Sequence, residues 1–249
     1  MLPPVTVDRI TPAGIPTLHV YPTGLQGPAP LVIYHHGWSS NKENQIVVAE
    51  SLACRGYRVL VPDAPRHGER DALATYDAGD FDVFWGVVTG AVQEDAILHT
   101  AALEAGWVED GRIGLAGHSM GGMIVSGSLA RHPWVRVAVM LDGCPCYEWL
   151  LDDHFRNLGT PTPQAARLKV RDFDPERLVA EVAPRPLLMV HGDADQAVPI
   201  GGVRRFRDLA TPLYAAVPDR LALTELPHLD HYVTTPAILE MRDWFRRYL

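Results

Sequence analysis

The 249-residue chain has few cysteines, no excess of basic charge and no long apolar run. Cys54, Cys144 and Cys146 are too few, and odd in number, for a disulfide framework, so the fold must rest on its core. Cys144-Pro145-Cys146 has one residue between the sulfurs where a redox pair has two, and it reads as two small residues at a strand end. No apolar run approaches the ~20 residues of a membrane span. The start, Met1-Leu2-Pro3-Pro4-Val5, lacks the basic segment and apolar stretch of a secretory leader, so the expected compartment is the cytoplasm. Basic residues number 22 against 30 acidic, a formal net charge of −8. That balance repels phosphate backbones, and nucleic acid is not an expected partner. The cluster Arg204, Arg205, Arg207 is too short to reverse it and reads as a solvated helix face.

What is present is ordinary globular material. Apolar residues make up 47% and charged residues 21%, so the 21 prolines and 21 glycines mark turns rather than disorder. A chain of this length can bury a core without staples. Val5–Ile10 and Ile15–Tyr21 read as a hairpin around Pro12-Ala13-Gly14. Leu31–Tyr34 reads as a buried strand by its β-branched content, and further short strands are read at Tyr57–Val61, Arg112–Ala116, Val135–Leu141, Leu187–Val190 and Leu221–Leu226. Helical spacing separates them at Asn41–Arg55, Asp80–Gly106, Met120–Arg131 and Val203–Ala216. It closes the chain at Ile238, Met241, Phe245 and Leu249. Alternating strands and helices predict a mainly parallel α/β sheet covered on both faces, with reactive residues at the carboxyl ends of its strands. Residues 145–175 interrupt the alternation. They are rich in aromatics and proline, and are read as a cap inserted into a single domain, with a surface helix pair as the alternative.

One turn carries chemistry. In Gly117-His118-Ser119-Met120-Gly121-Gly122 a serine stands between a strand and a helix, flanked at two residues by glycine. A sharp turn there pushes the hydroxyl out of the sheet, and larger neighbours would clash. The alternative is an inert serine N-cap. As a nucleophile, Ser119 needs a base, and the base an orienting acid. Asp195, after the strand Leu187–Val190, is the preferred acid, with Asp193 and Asp142 as rivals. For the base, His228 and His231 compete in Pro227-His228-Leu229-Asp230-His231, and His231 is preferred because it directly precedes the last helix. The oxyanion needs two donors. The N–H of Met120 follows the nucleophile, and the N–H of Trp38 lies in the glycine-containing loop His35-His36-Gly37-Trp38, which His36 is expected to support. Trp85, Tyr147, Trp149 and Phe155 are either acyl-pocket walls or ordinary core. The 11 histidines show no metal-ligand spacing, and this chemistry needs neither metal nor cofactor.

Taken in order, His36-Gly37-Trp38, Gly117–Gly122, His191-Gly192-Asp193-Ala194-Asp195 through Val198-Pro199, and His231 before a terminal helix resemble the α/β-hydrolase superfamily over nearly the whole chain. The order Ser119, Asp195, His231 is the one expected for that fold. Within it the chain looks like small bacterial carboxylesterases related to prolyl oligopeptidase catalytic domains and dienelactone hydrolases. Pro62–Arg70 is similar to the loop after the fourth strand of that group. Two departures are visible: there is no room for a propeller domain, and Ser119 stands where dienelactone hydrolases carry cysteine. The resemblance implies an eight-stranded sheet and hydrolysis of small-molecule esters through an acyl-enzyme. A peptidase or thioesterase with the same triad, or a non-catalytic binding protein on this scaffold, are the alternatives. Activity would fall as pH drops below about 6.5, where free histidine charges.

Overall fold

The structure, a computed structural model, describes residues 3–73 and 80–249. Met1 and Leu2 of the N-terminal reading lie outside the described residues. Among those described, eight strands form one sheet: β1 (Val5–Ile10), β2 (Thr17–Pro22), β3 (Ala29–His35), β4 (Arg58–Pro62), β5 (Val108–His118), β6 (Val137–Leu141), β7 (Leu187–Gly192) and β8 (Leu221–Leu226). Their spatial order is β1-β2-β4-β3-β5-β6-β7-β8. β2 pairs antiparallel with β1 and with β4, and every other pair is parallel.

Side chains alternate across a strand, so a strand buried on both faces must be apolar at every position. The central strands satisfy this. Leu31 and Ile33 of β3, Leu115 of β5, Met140 of β6 and Met189 of β7 enter one core. Val32 and Tyr34, Ala116, Val139 and Val190, one position away on the same strands, enter the other. The first core is closed by α2 (Phe81–Glu104) through Trp85, Val88 and Val92, and by α3 (Met120–Arg131) through Met123 and Ile124. The second is closed by α1 (Ile46–Ala53) through Val48, Ala49 and Leu52, and by the C-terminal helix through Met241, Trp244 and Phe245. Each fully buried aliphatic side chain contributes about 1.5–3 kcal/mol. No helix among the described residues is long and apolar enough to cross a membrane.

Element boundaries shift for identifiable reasons. The helix expected from Asn41 opens as a 3-10 turn at Glu43–Gln45 and becomes α-helical only over Ile46–Ala53. The helix expected through Ala216 ends at Ala210 and tightens to a 3-10 turn at Thr211–Tyr214, where Pro212 has no N–H to continue the ladder. β5 begins at Val108, ahead of Arg112, and its register against β3 shifts between Ala29 and Leu31. Between β6 and β7 the chain forms α4 (Tyr147–Asn157), α5 (Gln164–Val170) and a short α6 (Val179–Val182). The helices after them are α7 (Gly201–Ala210) and α8 (Thr235–Tyr248).

Candidate active site

Ser119 sits at the carboxyl end of β5, in the N-cap position of α3, with φ 58° and ψ −120°. A non-glycine residue held there carries strain of about 1–3 kcal/mol. Its backbone is tied on both sides: the N–H donates to Leu141 O at 2.8 Å and the carbonyl accepts from Met123 N–H at 3.1 Å. Among the described residues its side chain makes no capping hydrogen bond, so the hydroxyl is not spent on the helix end. The turn closes only because its neighbours lack a Cβ. One added at Gly117 would meet the Gly121 carbonyl carbon at 2.5 Å, and one at Gly122 would meet Gly143 Cα at 3.0 Å.

A cavity of about 540 Å³ opens over this turn, and Ser119, His118, Gly37, Trp38 and His231 line it. His231 Nδ1 lies 2.7 Å from Asp195 Oδ2. The other carboxylate oxygen of Asp195 accepts from the N–H groups of Ala197 and Val198 at 2.9 and 2.8 Å. Burial alone would raise the Asp195 carboxyl, but hydrogen bonds from His191, His231 and Val198 hold it well below the usual carboxylate range. For His231, burial pulls the pKa down. The hydrogen bond and charge of Asp195, with the charges of Asp142 and Asp230, overcome that and hold it above its ordinary value.

The loops after β7 and β8 are stitched together. Asp230 Oδ1 accepts from Gln196 N–H at 3.0 Å and from His231 N–H at 2.9 Å, so one carboxylate aligns the segments carrying Asp195 and His231. The rivals have other partners. Asp193 accepts from the His228 N–H at 2.6 Å, and His228 is exposed with φ 59°. Asp142 accepts from Gly192 N–H at 3.0 Å and faces His118 Nε2 at 3.5 Å.

Met120 is the first residue of α3, where a helix leaves its N–H groups without intrahelical partners. Trp38 is held from behind by His67, whose ring nitrogens face the carbonyls of Trp38 and Pro65. His36 is pushed down to about 4 by burial and is neutral. It accepts from Ala64 N–H at 3.1 Å and donates to Gly37 O at 2.8 Å, linking the Gly37 turn to the Pro62–Arg70 loop. That loop is itself braced by the buried Asp63, which receives Lys42 Nζ at 2.6 Å and the Glu69 N–H at 3.0 Å.

The four aromatics weighed as pocket walls are not among the described lining residues. Trp85 and Tyr147 are fully buried with ring centroids 4.7 Å apart, and Trp149 packs on Gly201 and Gly202. Phe155 packs against Phe81 in a tilted arrangement, 5.7 Å between centroids. The apolar wall instead includes Trp38, Phe81, Phe84, Met123, Leu150 and Val198. Sequence reading also missed a buried chain from β3 to α2 to α3. His35 Nε2 lies 3.0 Å from Asp95 Oδ1, and Ser128 Oγ donates to Asp95 Oδ2 at 2.5 Å. Among the described residues, two groups bring possible metal-ligand atoms within 4.8 Å of one another: His118, Asp142 and His231, and Asp142, His191 and Asp195. They come from separate strand ends, which is why no spacing in the sequence announced them, and the pairing of Asp195 with His231 already accounts for two of the five residues. The cysteines Cys144 and Cys146 are both free and buried, and burial raises both thiols.

A mainly parallel sheet with a strained serine at one strand end and a histidine–carboxylate pair at two others defines a hydrolase class. Residues 32–249 match the model of the alpha/beta hydrolase family, and the chain belongs to that family. It is 35% identical over 260 residues to YitV of Bacillus subtilis (strain 168), provisionally named an esterase, covering 98% of this chain and 100% of that one. It is 32% identical over 245 residues to the esterase YjfP of Escherichia coli (strain K12), covering 95% and 96%. Among solved structures, TT1662 from Thermus thermophilus shares the fold with a TM-score of 0.79 at 23% identity, over 98% of each chain.

Proposed function

We propose that the protein is an esterase that hydrolyses carboxylic esters of small molecules through an acyl-enzyme on Ser119. The observation that carries this reading is that His231, held 2.7 Å from the buried Asp195 carboxylate, lines the same cavity as Ser119. The esterase names of relatives at 35% and 32% identity support it. Neutral His231 takes the Ser119 proton as Oγ attacks the ester carbonyl. The tetrahedral oxyanion is held by the N–H groups of Met120 and Trp38. His231 then gives its proton to the departing alcohol oxygen as the C–O bond breaks. Water next attacks the acyl-enzyme, giving a proton to His231, and the acid leaves as Ser119 is reprotonated. Asp195 fixes the imidazole tautomer throughout. Residues 145–175 act as a cap, since Leu150 and Asp153 of α4 supply cavity wall. The free cysteines fit a reducing compartment such as the cytoplasm.

The test is labelling with a fluorophosphonate probe together with turnover of nitrophenyl esters. Label on Ser119 in the wild type, and loss of label and turnover in Ser119→Ala, are expected. Wild-type turnover in Ser119→Ala would sink the proposal. A panel of matched esters, thioesters and amides separates an esterase from a thioesterase or peptidase.

A further inference from the structure

The cavity is one-sided in charge. Its described lining residues include no Lys or Arg, and residues 74–79 of the sequence contain none. One wall is a single face of α4, where Leu150, Asp153, His154 and Asn157 recur at the i, i+3, i+4, i+7 spacing. The Asp153 carboxylate is the only acidic group among the described lining residues. Its partners are Arg156 Nη1 at 3.0 Å and Asn157 Nδ2 at 3.3 Å. Arg156 does not line the cavity and its side chain is 64% exposed, so this pair is weak and easily exchanged. Aromatic rings of Trp38, Phe81 and Phe84 line the same space. A carboxylate in a cavity that aromatic rings also line attracts a cation and repels an anion.

We propose that this α4 face selects substrates by charge. Esters bearing an ammonium group are favoured, the cation sitting between the Asp153 carboxylate and the aromatic wall, and esters bearing a carboxylate or sulfonate are rejected. The inference rests on the esterase reading and names its substrate class.

Two series of esters test it, one for each side of the scissile bond. On the alcohol side, acetylcholine and 3,3-dimethylbutyl acetate have the same shape and differ in charge, and 2-acetoxyethanesulfonate is the anion. On the acyl side, 4-nitrophenyl 4-(trimethylammonio)butanoate is compared with 4-nitrophenyl butanoate. The readout is the ratio of kcat/KM, cationic to neutral, measured by acid or nitrophenol release. In at least one series the ratio exceeds one by about fivefold, the sulfonate is the poorest substrate, and Asp153→Asn brings the ratio back towards one. Arg156→Gln, which removes the competing cation, raises it. Wild-type turnover of neutral esters with a ratio at or below one in both series overturns the inference and leaves the esterase reading standing. So does a ratio that Asp153→Asn does not lower or that Arg156→Gln lowers. Absence of turnover of every ester, with no fluorophosphonate label on Ser119, overturns both.

Discussion

Gly121 and His35 are packed so closely that a methyl group on Gly121 would collide with the His35 carbonyl oxygen. The first turn of α3 and the end of β3 are thereby held at backbone contact, which brings the Ser119 turn against the loop carrying Gly37 and Trp38. Gly121→Ala must push these apart. It is expected to destabilise the fold by about 2 kcal/mol or more and to lower ester turnover more than an alanine at an exposed α3 position would. Urea unfolding monitored with turnover checks this, and an unchanged midpoint with full activity would refute it.

The pH dependence follows from the two shifted groups. In the proposed mechanism His231 must be neutral to act as base, and its carboxylate neighbours hold its pKa above the ordinary histidine value of 6.5. The acid limb of kcat/KM is therefore expected above pH 6.5, higher than free histidine would place it. For stability the sign is the reverse. A raised histidine contributes most below its unfolded value, and the contribution is lost as pH rises through the folded value. Asp195, held low, contributes above the ordinary carboxylate range and loses that contribution only as pH falls through its depressed value. Asp195→Asn removes the partner that raises His231 and the group that fixes its tautomer, with an expected loss of about 10⁴ in kcat. A pH–rate profile whose acid limb lies below 6.5 would contradict the assignment.

Asp230 makes a separable contribution. It clamps the loops of Asp195 and His231 through backbone N–H groups, and its charge helps raise His231. Asp230→Asn keeps an acceptor oxygen and removes the charge, so the acid limb should move down with kcat largely kept. Asp230→Ala removes the clamp as well, and kcat should fall by about tenfold to a hundredfold as the pair loses alignment. Identical profiles for the two variants would show that the clamp has no role.

Legibility in the sequence tracked how local each feature is. The Ser119 turn could be read because strand, glycines and helix are contiguous, and the Asp195 and His231 loops because each follows a short leucine-rich strand. Pocket walls could not be read the same way. Phe84 and Trp85 are adjacent in α2, yet one faces the cavity and the other is sealed in the core, ring centroids 5.3 Å apart. Their assignment depends on which side of α2 meets the sheet, which helical spacing alone does not tell for two neighbours. Asp95 misleads in the same manner. It stands in a long helix where a lone carboxylate usually meets solvent, and it is wholly buried because His35 and Ser128 arrive from two other elements.

That buried triad yields a prediction about stability. Asp95 has no exposed surface and His35 is 3% exposed, so neither can exchange its partner for water. Removing one member of such a pair leaves the other unsatisfied in a low-dielectric interior. Asp95→Ala is expected to cost about 3 kcal/mol or more, whereas Ser128→Ala, which removes one neutral donor and leaves the His35 contact, should cost about 1–2 kcal/mol. Because His35 ends β3 next to the Gly37 turn, Asp95→Ala should also lower turnover in the folded fraction, and Ser128→Ala should do so less. Denaturant midpoints and turnover per folded molecule measure both effects. Equal costs for the two substitutions would mean that the Asp95–His35 contact is not what holds the three elements together.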